Sequence, residues 1–143
     1  MLRTSVNYNR TMTDLPTAMV RMAHLVNHVF AEVSRDHDLT PQQAQLMCQL
    51  IAGPVGMGEL TRLMRLEKSS MSGLVDRVER RGLVERVRDT CDRRAYRIEL
   101  TEDGVRLANK SHEGVIAELE RRAASLTDEE RDALTALLGK VLD

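Results

Sequence analysis

The amino-acid sequence predicts a mainly α-helical chain with one small β-hairpin, on three observations. Apolar residues recur at steps of three and four through most of its length, the mark of amphipathic helices. Two short segments, Val84–Arg88 and Tyr96–Leu100, break that period and alternate like strands around a polar turn. Just before them lie two short helical segments separated only by Leu66 and Glu67, the arrangement of a helix-turn-helix. The 143 residues fit one domain, or a unit whose ends join a partner chain.

Taken in order, Leu15, Met19, Met22, Val26, Val29, Phe30 and Val33 fall on one stripe at 100° per residue, so 14–37 reads as the first helix. Thr40-Pro41-Gln42-Gln43 opens the second: a Thr cap, Pro at the first helical position and Gln43 completing a capping box. Gly53-Pro54 should stop it. A short helix over 57–65 is expected to turn Leu60, Leu63 and Met64 inward. The next, over 68–81, has Met71, Leu74, Val75 and Val78 as its inner face and Gly82 as its terminator. The hairpin follows, with 89–95 as its turn. Thr101, followed by Glu102 and Asp103, caps a long helix reaching about residue 124. Thr127 and Glu130 form a second capping box before a last helix bearing Leu134, Leu137, Leu138, Val141 and Leu142.

Composition narrows the function. Aromatic residues are 2% of the chain, which disfavours stacking on single-stranded nucleic acid. Net charge is −1, but residues 57–97 hold 11 Lys/Arg against 7 Asp/Glu while the rest holds 10 against 15. One basic surface on an acidic body is therefore expected. Cys48 and Cys91 form no paired motif, residues 1–14 lack the apolar stretch of a signal peptide, and no apolar run is long enough to cross a bilayer. These point to a cytoplasmic protein with no membrane partner. There is no G-x-S-x-G, P-loop, G-x-G-x-x-G or H-E-x-x-H, so neither an enzyme nor a bound cofactor is expected. His24 and His28 stand four apart, a spacing that can hold a metal, but no further ligands accompany them and no metal is expected. Solvent, a partner helix or a ligand cleft all remain open to them. Met12, Met19, Met22 and Met47 are either core or the lining of an adaptable pocket.

The 68–81 helix and the hairpin carry the functional signal. The helix's outer arc holds Ser69, Ser70, Ser72, Gly73, Asp76, Arg77 and Arg80. Small residues at its start allow close approach to a surface, and Arg reaches guanine edges or phosphates. Such a helix enters the major groove by its N-terminal part. In the hairpin, Arg86, Arg88, Arg93, Arg94 and Arg97 crowd against Asp89 and Asp92. Arginine on a loop suits a narrow minor groove; the rival reading, which can hold beside it, is that Asp92 pairs with one arginine to rigidify the turn.

Leu39-Thr40-Pro41-Gln42-Gln43, Gly58-Glu59-Leu60, the run from Lys68 to Arg86, and Asp92-Arg93-Arg94 through Leu100-Thr101 to Gly104 together resemble the MarR family (multiple antibiotic resistance regulators) over residues 39–104. The resemblance implies a winged helix-turn-helix at 39–100, with dimerisation helices at 1–38 and 101–143 that interleave with a second copy. It implies a regulator, more often a repressor, that binds double-stranded DNA as a homodimer and is released by a small-molecule effector. Ser70, Ser72, Gly73 and Arg77 match its groove-facing positions, and Arg94 its wing-tip contact. Lys68, Ser69 and Gln42 would touch phosphate, with Arg80 and Arg93 extending the same basic surface. Thr90-Cys91 departs from the Pro or small polar residue the family often has there. Two alternatives stand beside this reading: a thiol sensor using Cys91, and a winged module that binds only protein.

Overall fold

The computed structural model describes residues 14–143, in six helices and a small sheet. Helix α1 (Leu15–Asp36) begins where the Asp14 carboxylate accepts the Thr17 N–H at 2.8 Å. Helix α2 (Pro41–Gln49) opens on the expected reciprocal box, in which Thr40 Oγ1 accepts the Gln43 N–H and Gln43 Oε1 accepts the Thr40 N–H, both at 3.2 Å. It ends before the Gly53-Pro54 boundary, and hydrogen-bonded turns carry the chain to Gly53, whose φ of +143° suits glycine.

A strand absent from the sequence reading follows. β1 (Val55–Gly56) pairs antiparallel with the hairpin, Val55 opposite Ile98. Two residues are too few to show alternation. The sheet order is β1-β3-β2, with β2 (Val84–Arg88) and β3 (Tyr96–Leu100) in register from Val84↔Leu100 to Arg88↔Tyr96.

Helices α3 (Met57–Met64) and α4 (Lys68–Arg80) meet at Arg65, which sits in the left-handed region at φ 51° while the Leu66 N–H donates to the Thr61 carbonyl. One expectation fails here: Leu63 is 41% exposed. The inward stripe is Met57, Leu60 and Met64, and Leu63 lies about 60° round the helix from Leu60. The inner face of α4 is as expected, with Met71, Leu74, Val75 and Val78 all buried. Its end is a double turn in which the Gly82 N–H donates to Glu79 and the Leu83 N–H to Val78, with Gly82 at φ +72°.

Helix α5 (Glu102–Arg122) starts at Thr101, whose hydroxyl accepts the Gly104 N–H at 3.1 Å and donates to the Gly82 carbonyl at 2.6 Å. Helix α6 (Asp128–Leu142) opens on the Thr127–Glu130 box. The core lies among α2, α3, α4, the sheet and the start of α5, built on Leu46, Met47, Leu60, Met71, Leu74 and Ile98. Met47 is therefore core rather than pocket wall, whereas Met12 lies outside the described residues.

The apolar stripe of α1 is only partly used. Val29 is buried and Val26, Phe30 and Val33 are half-buried, but Leu15, Met19 and Met22 face outward. No residue of α6 is buried, and Leu134, Leu137, Leu138, Val141 and Leu142 are all exposed. At about 25 cal/mol per Å² of apolar surface, such a face is strongly stabilised by being covered.

Ion pairs flank the contact of α5 with α1. Glu118 accepts from Arg121 at 2.6 Å and from Arg122 at 2.9 Å, and these bonds, that to Arg121 first, hold its carboxyl down to about 2. A carboxyl lowered on folding contributes stability above its unfolded value of 4.5 that is lost as pH falls toward 2. Glu118→Gln is expected to flatten that part of the stability-against-pH curve in urea titrations; an unchanged acid limb would show that the pair contributes nothing.

Candidate nucleic-acid interface

The start of α4 is open. Lys68, Ser69 and Ser70 are exposed, Ser72 and Gly73 half-buried, and Arg77 and Arg80 exposed on the same side of the helix as the serines. The burial of Met71, Leu74, Val75 and Val78 forces this, since their stripe leaves the small and cationic residues outward. Among the described residues no side chain caps α4: Glu67 occupies the capping position without a side-chain hydrogen bond to the helix. Its first N–H groups, with the positive end of the helix dipole, thus remain available to an anion. Arg77 lies back over Gly73, its Nη1 3.4 Å from where a Cβ on that glycine would stand. Gln42, in the first turn of α2, is exposed as well.

The hairpin turn is held by its aspartates. The Asp89 N–H donates to the Ala95 carbonyl, the Cys91 N–H to Asp89 Oδ1 and the Arg94 N–H to Asp92 Oδ1. Of the two readings of Asp92, the described residues show it shaping the turn through backbone rather than pairing with a guanidinium. Two of the five wing arginines are also engaged within the protein. Arg97 Nη2 donates to the Pro54 carbonyl at 2.6 Å, tying the hairpin to the segment before β1. Arg86 donates to both Asp76 and Glu79 of α4. That leaves Arg88, Arg93 and Arg94, all exposed and without a carboxylate partner among the described residues. Arg93 and Arg94 occupy the tip, beyond five paired positions on each strand, about 17 Å of hairpin.

The remaining singled-out residues sit apart from this surface. His24 is exposed and His28 Nε2 stands 3.2 Å from Glu32. Among the described residues no group of three or more His, Cys, Asp or Glu is placed to hold a metal. Cys91 is exposed in the turn, its sulfur 4.0 Å from the Thr90 hydroxyl. Cys48 is half-buried, and burial pushes its thiol up. Two clefts of about 280 and 540 Å³ share Leu63 and Arg65; Phe30 and Cys48 line one, Met19 and Val141 the other. The outward turn of Leu63, unforeseen in the sequence, helps to form both.

A helix-turn-helix with an open, small-residue entry to its second helix, next to an arginine-tipped hairpin, defines a winged-helix DNA-binding protein. The family model described as MarR family matches residues 37–95. A transcriptional regulator of Bacillus subtilis, YsmB, is 31% identical over 122 residues, covering 83% of this chain and 82% of the relative. The transcriptional repressor NicR of Pseudomonas putida is 32% identical over 116 residues, covering 80% and 73% respectively. A mutant MarR of E. coli, solved in complex with operator DNA, superposes with a TM-score of 0.70 at 26% identity, covering 92% of this chain and all of that one. This chain belongs to the MarR family: it is a DNA-binding transcriptional regulator and not an enzyme. No helix among the described residues is long and apolar enough to cross a membrane.

Proposed function

We propose that the protein is a cytoplasmic repressor that binds a pseudo-palindromic duplex as a homodimer, one α4 helix in each of two major grooves. The open N-terminal face of α4 carries this reading: small residues admit the backbone to the groove floor, and the exposed Arg77, folded back over Gly73, supplies a guanidinium on the same side for base edges. Ser70, Ser72, Gly73 and Arg77 read bases. Lys68, Ser69, Gln42 and Arg80 hold phosphates, and Arg93 and Arg94 enter the flanking minor groove. The winged unit spans 39–100. The flanking segments, 1–38 and 101–143, form the dimer frame, for which the exposed apolar faces of α1 and α6 are the support. Repression is the role that the relative NicR is named for. The clefts around Leu63 and Arg65 lie between the frame and the winged unit, where a small effector would alter the spacing of the two reading helices.

The test is duplex selection from a random library, followed by sedimentation and salt titration of the selected complex. A protein dimer on a two-fold-symmetric site is expected, with affinity falling about a thousandfold between roughly 50 and 200 mM salt if about six phosphates are neutralised. A monomer in solution would refute the dimer. Failure to select any duplex, with no salt-sensitive binding, would mark a protein-interaction module instead.

A further inference from the structure

Two elements that read different grooves act together only if the angle between them is held, and Arg86 is placed to hold it. It stands on β2 opposite Ile98. Directly opposed residues of an antiparallel pair point to the same side of the sheet, and Ile98 is fully buried, so the Arg86 side chain leaves the sheet on its core side, toward α4. There its two terminal nitrogens divide. Nη1 donates to Glu79 Oε1 and Nη2 to Asp76 Oδ1, each at 2.6 Å. The two acceptors are three residues apart, so the guanidinium spans nearly a full turn of α4. A planar fork held at two points fixes direction as well as distance. The Arg86 side chain is 28% exposed and its partners Asp76 and Glu79 are 48% and 39% exposed, so the pairs are only partly withdrawn from solvent and the fork's geometry, rather than its charge, is what sets direction. Beyond it the hairpin runs out to Arg93 and Arg94 with nothing else of α4 bonded to its strands by a side chain among the described residues.

We propose that Arg86 is a positioning residue for DNA recognition, setting the pitch of the wing against α4 so that both grooves are engaged at once. The proposal rests on the reading of α4 and the wing tip as DNA-contacting elements. The test is a double-mutant cycle on the duplex that the wild-type protein selects from a random library, at one salt concentration. Arg94→Ala and Arg86→Met are each expected to weaken binding about tenfold or more. In the Arg86→Met background, Arg94→Ala is expected to cost less than about threefold, because the tip no longer reaches its groove. Full, multiplied losses would overturn the proposal, since a merely structural Arg86 lowers the urea midpoint without touching the Arg94 contribution.

Removing Arg86 also unmasks two carboxylates near the DNA face, which repel phosphate. Asp76→Asn with Glu79→Gln in the Arg86→Met protein removes that repulsion: continued weak binding supports positioning, and recovery to wild-type affinity overturns it. Arg86→Lys keeps the charge but can hold only one carboxylate at a time, so an intermediate Arg94 contribution is expected there. That variant serves if Arg86→Met does not fold, with full additivity again the overturning result. A wild-type protein that binds duplex but is indifferent to Arg94→Ala would refute the wing contact and the proposal with it. One that selects no duplex at all would instead refute the proposed function.

Discussion

Gly104→Ala is expected to destabilise the fold by about 3 kcal/mol or more, at or beyond the upper end for overpacking. A Cβ on Gly104 would stand 1.9 Å from the Leu83 carbonyl oxygen and 2.9 Å from its carbon. These are backbone atoms, so no rotamer change relieves the contact. The same carbonyl accepts the Thr101 N–H, and the Thr101 hydroxyl caps α5 while bonding the Gly82 carbonyl. Pushing α5 away would strip these bonds together and loosen the junction of recognition helix, wing and α5. Against a typical total of about 5–15 kcal/mol, that loss is a large share. Urea denaturation at constant m measures it, and a loss below about 1 kcal/mol would show that the junction yields more easily than its geometry indicates.

Arg94→Ala is expected to act on binding and leave stability alone. The guanidinium is exposed with no carboxylate partner among the described residues, and the backbone N–H of the residue donates to Asp92, a bond that alanine keeps. Affinity for a selected duplex should fall by about 1–3 kcal/mol if the side chain reads a base edge, with relaxed preference at the flanking positions. If it holds a phosphate instead, the loss is uniform across sequences and the salt slope drops by about one. Unchanged affinity together with an unchanged salt slope would remove the wing tip from the contact surface. Fluorescence anisotropy at several salt concentrations separates the three results.

Features that depend on neighbours along the chain are legible in the residues themselves. The Thr40–Gln43 and Thr127–Glu130 boxes and the Gly82 terminator form through contacts between residues a few positions apart, and the inner face of α4 is marked by its helical spacing even though distant core residues cover it. Their residue types announce them. Arg65 was not legible, because a left-handed turn residue usually announces itself as glycine or asparagine and here does not. The pairing of β1 was hidden for a different reason: its partner Ile98 lies more than forty residues away, and two residues carry no period.

The candidate surface divides the same way. Serines, glycine and arginine on the outer arc of α4 could be listed from helical spacing, since four apolar residues opposite them dictate which side faces out. The five wing arginines could be counted but not sorted. A hint was present for Arg86, which occupies the next inward strand position after the buried Val84, but its acceptors on α4 were unknowable from alternation alone. Asp92 could be paired on paper with a guanidinium and in fact bonds to backbone.

The order and kind of the helices, the hairpin and the outward residues of the reading helix are thus written in the residues themselves, because periodicity and capping are local chemistry. Long-range packing sets which wing arginines lack a carboxylate partner among the described residues and which serve as struts, where Gly104 must remain bare, and that Leu63 and the apolar face of α6 are left uncovered. Those outcomes depend on which distant groups arrive within hydrogen-bonding or van der Waals distance, and no spacing along a chain encodes that.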